Sequence, residues 1–328
     1  MLNANTNVKA PSYDLNEGTV HQFCHDLLEV DGELRSLADT RDDTTLTCLA
    51  LEMWSAFSDT LGKIESCLQD NDCGIAAIDV PSIYDDLTDD AIAGALVSIA
   101  LTSSLMQPAK DIENQTPFTM FSASYKSDEA LNQAGLLDIS PTDILGFHSD
   151  GLVREKELSV PRYISIYNTF INYRNCGNFY WIPTNSVSNL SRHVESIGFD
   201  DDFIFSLTPT IYGTAGAKIE NVVERKVQTS IFKETDDGRI TTFINGTFAG
   251  KRCGSPDYTG RFKAFQSELS ENPFRYAAAQ KSRRMIVLNN ANGFHARDIF
   301  EDPIEGHEET RNYLRSVSKN AVKTGHVM

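Results

Sequence analysis

The sequence predicts a mostly β protein with helices, in which a sandwich or jelly-roll core follows an N-terminal helical scaffold. Two observations carry this. From about residue 17 to 106 the apolar side chains recur at three- and four-residue spacing, the helical period. After about 115 the pattern changes to short β-prone runs separated by Gly, Pro, Asn and Asp, with few helical stretches between them. Hydrophobic residues make up 41 % of the 328 and charged residues 23 %, close to the globular average, so a packed core is expected. The chain is read as a single domain over 1–328, with a helical scaffold over about 1–110 and the core over about 111–328.

Taking the elements in order, Val20, Phe23, Cys24, Leu27 and Leu28 share one helix face, and Leu46, Leu49, Ala50, Met53, Trp54 and Phe57 share another. A third helix, Asp89–Met106, opens on two aspartates, which favour a helix N-terminus, and stops before Pro108. Strands are expected at Phe118–Tyr125, Ile144–His148, Tyr163–Ile171, Phe179–Pro183, Phe203–Leu207, Val227–Lys233, Ile240–Asn245, Met285–Leu288 and Tyr313–Val317. Asp236-Asp237-Gly238 between two of them is a hairpin signal. Asn189–Ile197 and a longer stretch over about 260–280 read as helical insertions.

Charge and composition exclude several functions. With 29 Lys+Arg against 46 Asp+Glu the formal charge is −17, which argues against a nucleic-acid or anionic-membrane partner, since both need a basic surface. The first residues lack the basic-then-apolar pattern of a signal peptide, and the apolar stretch Ala91–Met106 is too short and too interrupted to span a bilayer. A cytoplasmic protein with reduced cysteines is the expectation, and a homo-oligomer is left open.

Of the seven histidines, His21 and His25 sit four apart on a helix, a spacing that could ligate a metal, but have no nearby third ligand; His193 lies in a polar helix and His326 in the tail, and His307-Glu-Glu-Thr-Arg lacks the second histidine of a zinc-protease motif. Two differ. In His148-Ser149-Asp150, after the apolar run Ile144–Phe147, extended backbone turns the imidazole and the carboxylate to one face. His295 follows a buried-strand pattern and a run of asparagines, with Arg311 further on. Two histidines and a carboxylate on one metal face leave positions open, the arrangement of non-haem Fe(II) oxygenases that hold a keto acid and O₂. A fork-shaped arginine can clamp the keto acid's distal carboxylate.

The segment Asn289-Asn290-Ala291-Asn292-Gly293-Phe294-His295-Ala296-Arg297, with Phe300-Glu301, Gly306 and Thr310-Arg311-Asn312-Tyr313-Leu314-Arg315, resembles the C-terminal signature of the clavaminate-synthase-like branch of the taurine-dioxygenase superfamily. That signature runs Asp-Asn-Arg, two residues, His-Gly-Arg, Phe-Glu, a Gly, and Arg-Trp-Leu-x-Arg. Here Ala296 replaces its Gly, the Asp-Asn-Arg element is altered, and His295 to Arg311 is two residues longer than usual. The resemblance implies a double-stranded β-helix core, with Fe(II) held by His148, Asp150 and His295, and 2-oxoglutarate and O₂ as co-substrates. It makes Arg311 the 2-oxoglutarate clamp with Arg315 as the fallback, and Thr184 a further keto-acid contact. Halogenating relatives carry Gly or Ala in place of the carboxylate, so Asp150 favours hydroxylation.

The implied reaction is hydroxylation of an unactivated side-chain carbon of a free L-amino acid, with lysine or arginine as the foremost candidates. Alternatives are a carrier-bound, peptide or sulfonate substrate, and, from another class, a non-catalytic jelly-roll binding protein. Arg154, Tyr125 and Tyr163 are the candidates for gripping the amino acid's carboxylate. The polar loop Gly151–Val160 is a candidate lid.

Overall fold

A computed structural model describes residues 6–31, 34–111, 114–124, 142–207, 225–236, 238–252, 254, 256–306 and 308–328. Two facing, mainly antiparallel sheets with a helical layer outside one of them form the jelly-roll core, and the sheets do not close into a barrel. The major sheet has the order Ser12–Asp14, Ile75–Asp79, Arg284–Leu288, Ile164–Ile171, Glu309–Val317, Thr119–Ser124. Opposite it lies a sheet of order Thr6–Lys9, Phe274–Ala279, Asn178–Pro183, Gly293–Arg297, Leu145–His148.

The helical layer consists of Glu17–Asp31, Leu34–Ala38, Asp43–Gln69 and Leu87–Leu105. Asp42 caps the third helix by accepting from the Thr45 N–H, and Asp86 caps the fourth by accepting from the N–H groups of Thr88 and Asp89. The apolar face of the third helix buries Leu49, Met53, Leu61 and Ile64, and that of the fourth buries Leu96, Val97 and Leu101, in one cluster with the major sheet. The strand Ile75–Asp79 shows how the layers are joined. Ala76 and Ile78 face the helices, whereas Ile75 and Ala77 face the second sheet with Ile286 and Leu288.

The scaffold therefore differs from the expected all-helical one. Thr6–Lys9, Ser12–Asp14 and Ile75–Asp79 lie within 1–110 and are strands, each hydrogen-bonded into a core sheet. Ile75-Ala-Ala-Ile is buried on both faces, so it shows no polar alternation and reads as a short apolar run. Over 260–280 the helix ends at Glu271, and Phe274–Ala279 is a strand paired with Asn178–Pro183. The expected strand Val227–Lys233 is two, Arg225–Thr229 and Phe232–Glu234, in different sheets. Phe232–Glu234 and Ile240–Thr242 form the hairpin that the Asp-Asp-Gly turn signals.

Gly151–Val160 is mostly a β-hairpin, Leu152–Arg154 against Glu157–Pro161. Glu155 and Lys156 turn it with φ of 49° and 71°, the two-residue geometry that suits strand twist, but without the Asn-Gly pair that would announce it. No helix among the described residues is long and apolar enough to cross a membrane.

Candidate metal centre

His148 ends the strand Leu145–His148, and His295 is central in Gly293–Arg297; the two strands pair antiparallel with His295 directly opposite His148. Alternation sends Phe294 and Ala296 into one aromatic core cluster and leaves His295 on the other face, where it stacks on Phe179. Gly293 permits this packing, because a Cβ there would lie 2.4 Å from the Trp181 ring and 2.5 Å from the Ile182 carbonyl oxygen. The imidazole centroids of His148 and His295 are 4.1 Å apart.

Asp150 completes the set. One nitrogen of each imidazole and one carboxylate oxygen of Asp150 all lie within 4.8 Å of one another, the only such metal-type cluster among the described residues. Nε2 of His148 is 3.5 Å and Nε2 of His295 3.9 Å from Asp150 Oδ1. Oδ2 takes the Arg315 guanidinium at 2.7 Å, so one oxygen is occupied and the other faces the histidines. His148 Nδ1 lies 2.8 Å from the Gly146 carbonyl oxygen; donation there leaves Nε2 as the lone-pair nitrogen.

The backbone of Asp150 is fixed by a residue outside the expected set. Asn290, with no exposed surface, accepts the Asp150 N–H at 2.8 Å and donates to the Asp150 and Pro161 carbonyls at 3.0 and 2.9 Å. In the altered Asp-Asn-Arg element, Asn290 at the first position thus supplies the amide that holds the Asp150 backbone. The signal for it was present, since an asparagine run directly after a buried strand must find buried partners.

Electrostatics suit a cation. Burial alone would push the Asp150 carboxyl up, but Arg315 and the two histidines hold it well below the usual carboxylate range. Burial, reinforced by His148, pushes His295 well below its ordinary value, so it is a neutral imidazole. Neutral imidazole nitrogens and an ionised carboxylate are the donors that a borderline divalent metal takes.

Arg311 is 2 % exposed and lies on the same strand face as Arg315, four residues away, or about 13 Å along the backbone. It donates to Asn168 Oδ1 at 3.1 and 2.9 Å and to Gln280 Oε1 at 3.4 Å, between the rings of Phe300 and Tyr313. Burial and Arg297 push its guanidinium below the usual arginine range.

The remaining expected site residues are not gathered here. Thr184 is buried, but it follows the end of Asn178–Pro183 where Pro183 meets Gly293, whereas Arg311 interacts electrostatically with Arg297 and Cys176 near the other end. Arg154 is exposed and donates to the Lys110 carbonyl. Tyr163 packs with the helical layer and against Arg162. Tyr125 and His307 lie outside the described residues. His193 is buried and bonds Glu268 at 2.7 Å, which ties the helices Leu190–Ile197 and Pro256–Glu271 together.

No protein-family model matches the chain, and a search of curated proteins returns no match. Solved structures do match. One is the non-haem iron oxygenase OrfP in complex with Fe, succinate and (3R,4R)-dihydroxy-L-Arg, at a TM-score of 0.65 and 10 % identity over 94 % of each chain. The chain has the fold of a non-haem iron oxygenase. An asparagine oxygenase in complex with Fe(II), 2S,3S-3-hydroxyasparagine and succinate is similar at a TM-score of 0.63 and 12 % identity, covering 94 % of this chain and 93 % of that one. The PvcB protein from Pseudomonas aeruginosa is similar at 0.53 and 11 % identity, covering 82 % and 84 %.

Proposed function

We propose that this protein is an Fe(II)- and 2-oxoglutarate-dependent dioxygenase that hydroxylates a side-chain carbon of a free L-amino acid, with a basic amino acid as the foremost substrate. The observation that carries the reading is the convergence of His148, Asp150 and His295 from distant parts of the chain onto one interior face of the jelly roll, with no further His, Cys, Asp or Glu in the cluster among the described residues. Three protein ligands leave coordination positions for other molecules, whereas a purely structural metal site is closed.

In this reading Nε2 of each histidine and Oδ1 of Asp150 hold the ferrous ion. Iron bound there supplies the oxidising chemistry, in which 2-oxoglutarate and O₂ are converted to succinate and CO₂ as a substrate C–H becomes C–OH. Arg315 holds Asp150 Oδ2, so Oδ1 is the oxygen that would meet the ion. Arg311 is the 2-oxoglutarate clamp: its guanidinium is buried and held below its usual range, and an incoming carboxylate would pair with it through a fork of hydrogen bonds. Arg315 is engaged by Asp150, which is why it is the less suitable clamp. The walls around His295, among them Phe179 and Trp181, are buried and apolar and exclude water.

The amino-acid substrate is supported by the ligands named for the similar structures, arginine derivatives, L-canavanine and hydroxyasparagine. An anaerobic Fe(II) titration followed by succinate release against the twenty amino acids tests the proposal. Iron-dependent turnover with lysine or arginine is the expected result. Iron binding without turnover of any free amino acid would remove the substrate assignment, and failure to bind iron would remove the enzyme reading in favour of a binding protein.

A further inference from the structure

A second chemical feature lies where the long helix Asp43–Gln69 turns into the strand Ile75–Asp79, separate from the histidine cluster. The thiols of Cys67 and Cys73 both approach one acceptor, the Ile75 carbonyl oxygen, at 3.0 and 3.5 Å. Sharing that one acceptor places the two sulfur atoms beside each other at the turn. The turn that brings them together is pinned from several sides. The Gly74 N–H donates to the Cys67 carbonyl at 2.9 Å, Trp181 Nε1 donates to the Cys73 carbonyl at 2.7 Å, and Asn289 bonds both the Gly74 and the Leu68 carbonyls. Both cysteines line a cleft of about 620 Å³ with Tyr13, Lys63, Ser66 and Asp70, so small solutes reach them.

We propose that Cys67 and Cys73 form a peroxide-sensitive dithiol that closes to a reversible disulfide. Their chemistry is divided. Coupling between the two neighbouring sulfurs holds the Cys73 thiol below its ordinary value and, together with burial, pushes Cys67 up. Cys73 is therefore the attacking thiolate and Cys67 the resolving thiol. In the first step the Cys73 sulfur attacks a hydroperoxide oxygen. An S–O bond forms as the O–O bond breaks, and the departing hydroxide or alkoxide takes a proton. In the second, the Cys67 sulfur attacks the sulfenic sulfur, the S–S bond forms, and the S–O oxygen leaves as water with the Cys67 proton. Two thiols are oxidised by two electrons, and one hydroperoxide is reduced to water and water or alcohol. Cys48 is exposed and makes no such pair, which gives an internal control.

The test uses the intact folded protein and hydrogen peroxide. Asp70 and Asp72 lie between the two cysteines, so a protease that cuts at aspartate separates them on different peptides unless they are joined. The expected results are the loss of two hydrogens in the native mass, a Cys67–Cys73 linked peptide, and its disappearance on addition of dithiothreitol. In Cys67→Ser the Cys73 sulfenic acid should accumulate and be trapped by dimedone, while Cys73→Ser should give no adduct at Cys67 under the same dose. If both thiols remain alkylatable at a dose that oxidises Cys48, or if oxidation yields no linked peptide, the proposal is overturned.

Discussion

Asn290→Ala removes a side chain that touches no metal, yet holds the backbone of one proposed ligand. Three hydrogen bonds of 2.8, 3.0 and 2.9 Å are lost at a residue with no exposed surface. The Asp150 N–H and the Asp150 and Pro161 carbonyls are left without that partner in the interior, and each orphaned group costs about 1–3 kcal/mol. Water entering the small void offsets part of this, so the expected loss is about 3–5 kcal/mol, against a typical total stability of about 5–15 kcal/mol. Guanidinium unfolding of the metal-free protein measures it. Asn292→Ala is the comparison, because Asn292 makes one long bond, 3.4 Å to Asn71 Oδ1, and should cost about 1 kcal/mol. Below its unfolding transition Asn290→Ala should also bind Fe(II) about 10–100-fold more weakly, as expected when support for a metal ligand is lost. A stability loss under about 1 kcal/mol with unchanged iron affinity would refute the reasoning.

Asp150→Ala should abolish succinate-coupled hydroxylation while the protein remains folded by circular dichroism; normal turnover would remove Asp150 from the metal. Arg311→Ala should raise the KM for 2-oxoglutarate by at least 10-fold and the KM for amino acid far less, in steady-state kinetics with each varied in turn; the same pattern in Arg315→Ala instead would transfer the clamp. The metal-free protein should lose stability as pH falls below about 6.5. There an unfolded histidine binds a proton that native His295, depressed by burial, does not, so each pH unit costs up to roughly 1 kcal/mol. Asp150, also depressed, adds its own loss only below about pH 4, so His295→Gln should flatten the slope between about pH 4 and 6.5 in denaturation curves. An unchanged slope would contradict a neutral buried His295.

The cluster was legible because its parts sit in strong local patterns. His148 and Asp150 are two residues apart at a strand end, and His295 follows a buried strand and an asparagine run. What the sequence concealed has physical causes. Ile75–Asp79 is buried on both faces, so its apolar run carries no alternation to separate strand from helix. The hairpin at Glu155-Lys156 uses residues that rarely adopt positive φ. Chain position alone points to Thr184, but strand register decides which end of the sandwich a residue reaches, and that emerges only from pairing. Asn290 stands in the asparagine run, yet its task depends on Asp150 meeting it in space.

The most direct measurement is metal stoichiometry with ligand assignment: anaerobic titration of Fe(II), or of spectroscopically visible Co(II), into the protein and its His148→Ala, Asp150→Ala and His295→Ala variants. The expected result is one ion per chain in the parent protein and at least 10-fold weaker binding in each variant. Equal affinity in all four proteins, or no binding in the parent, would contradict a metal centre built from these three side chains.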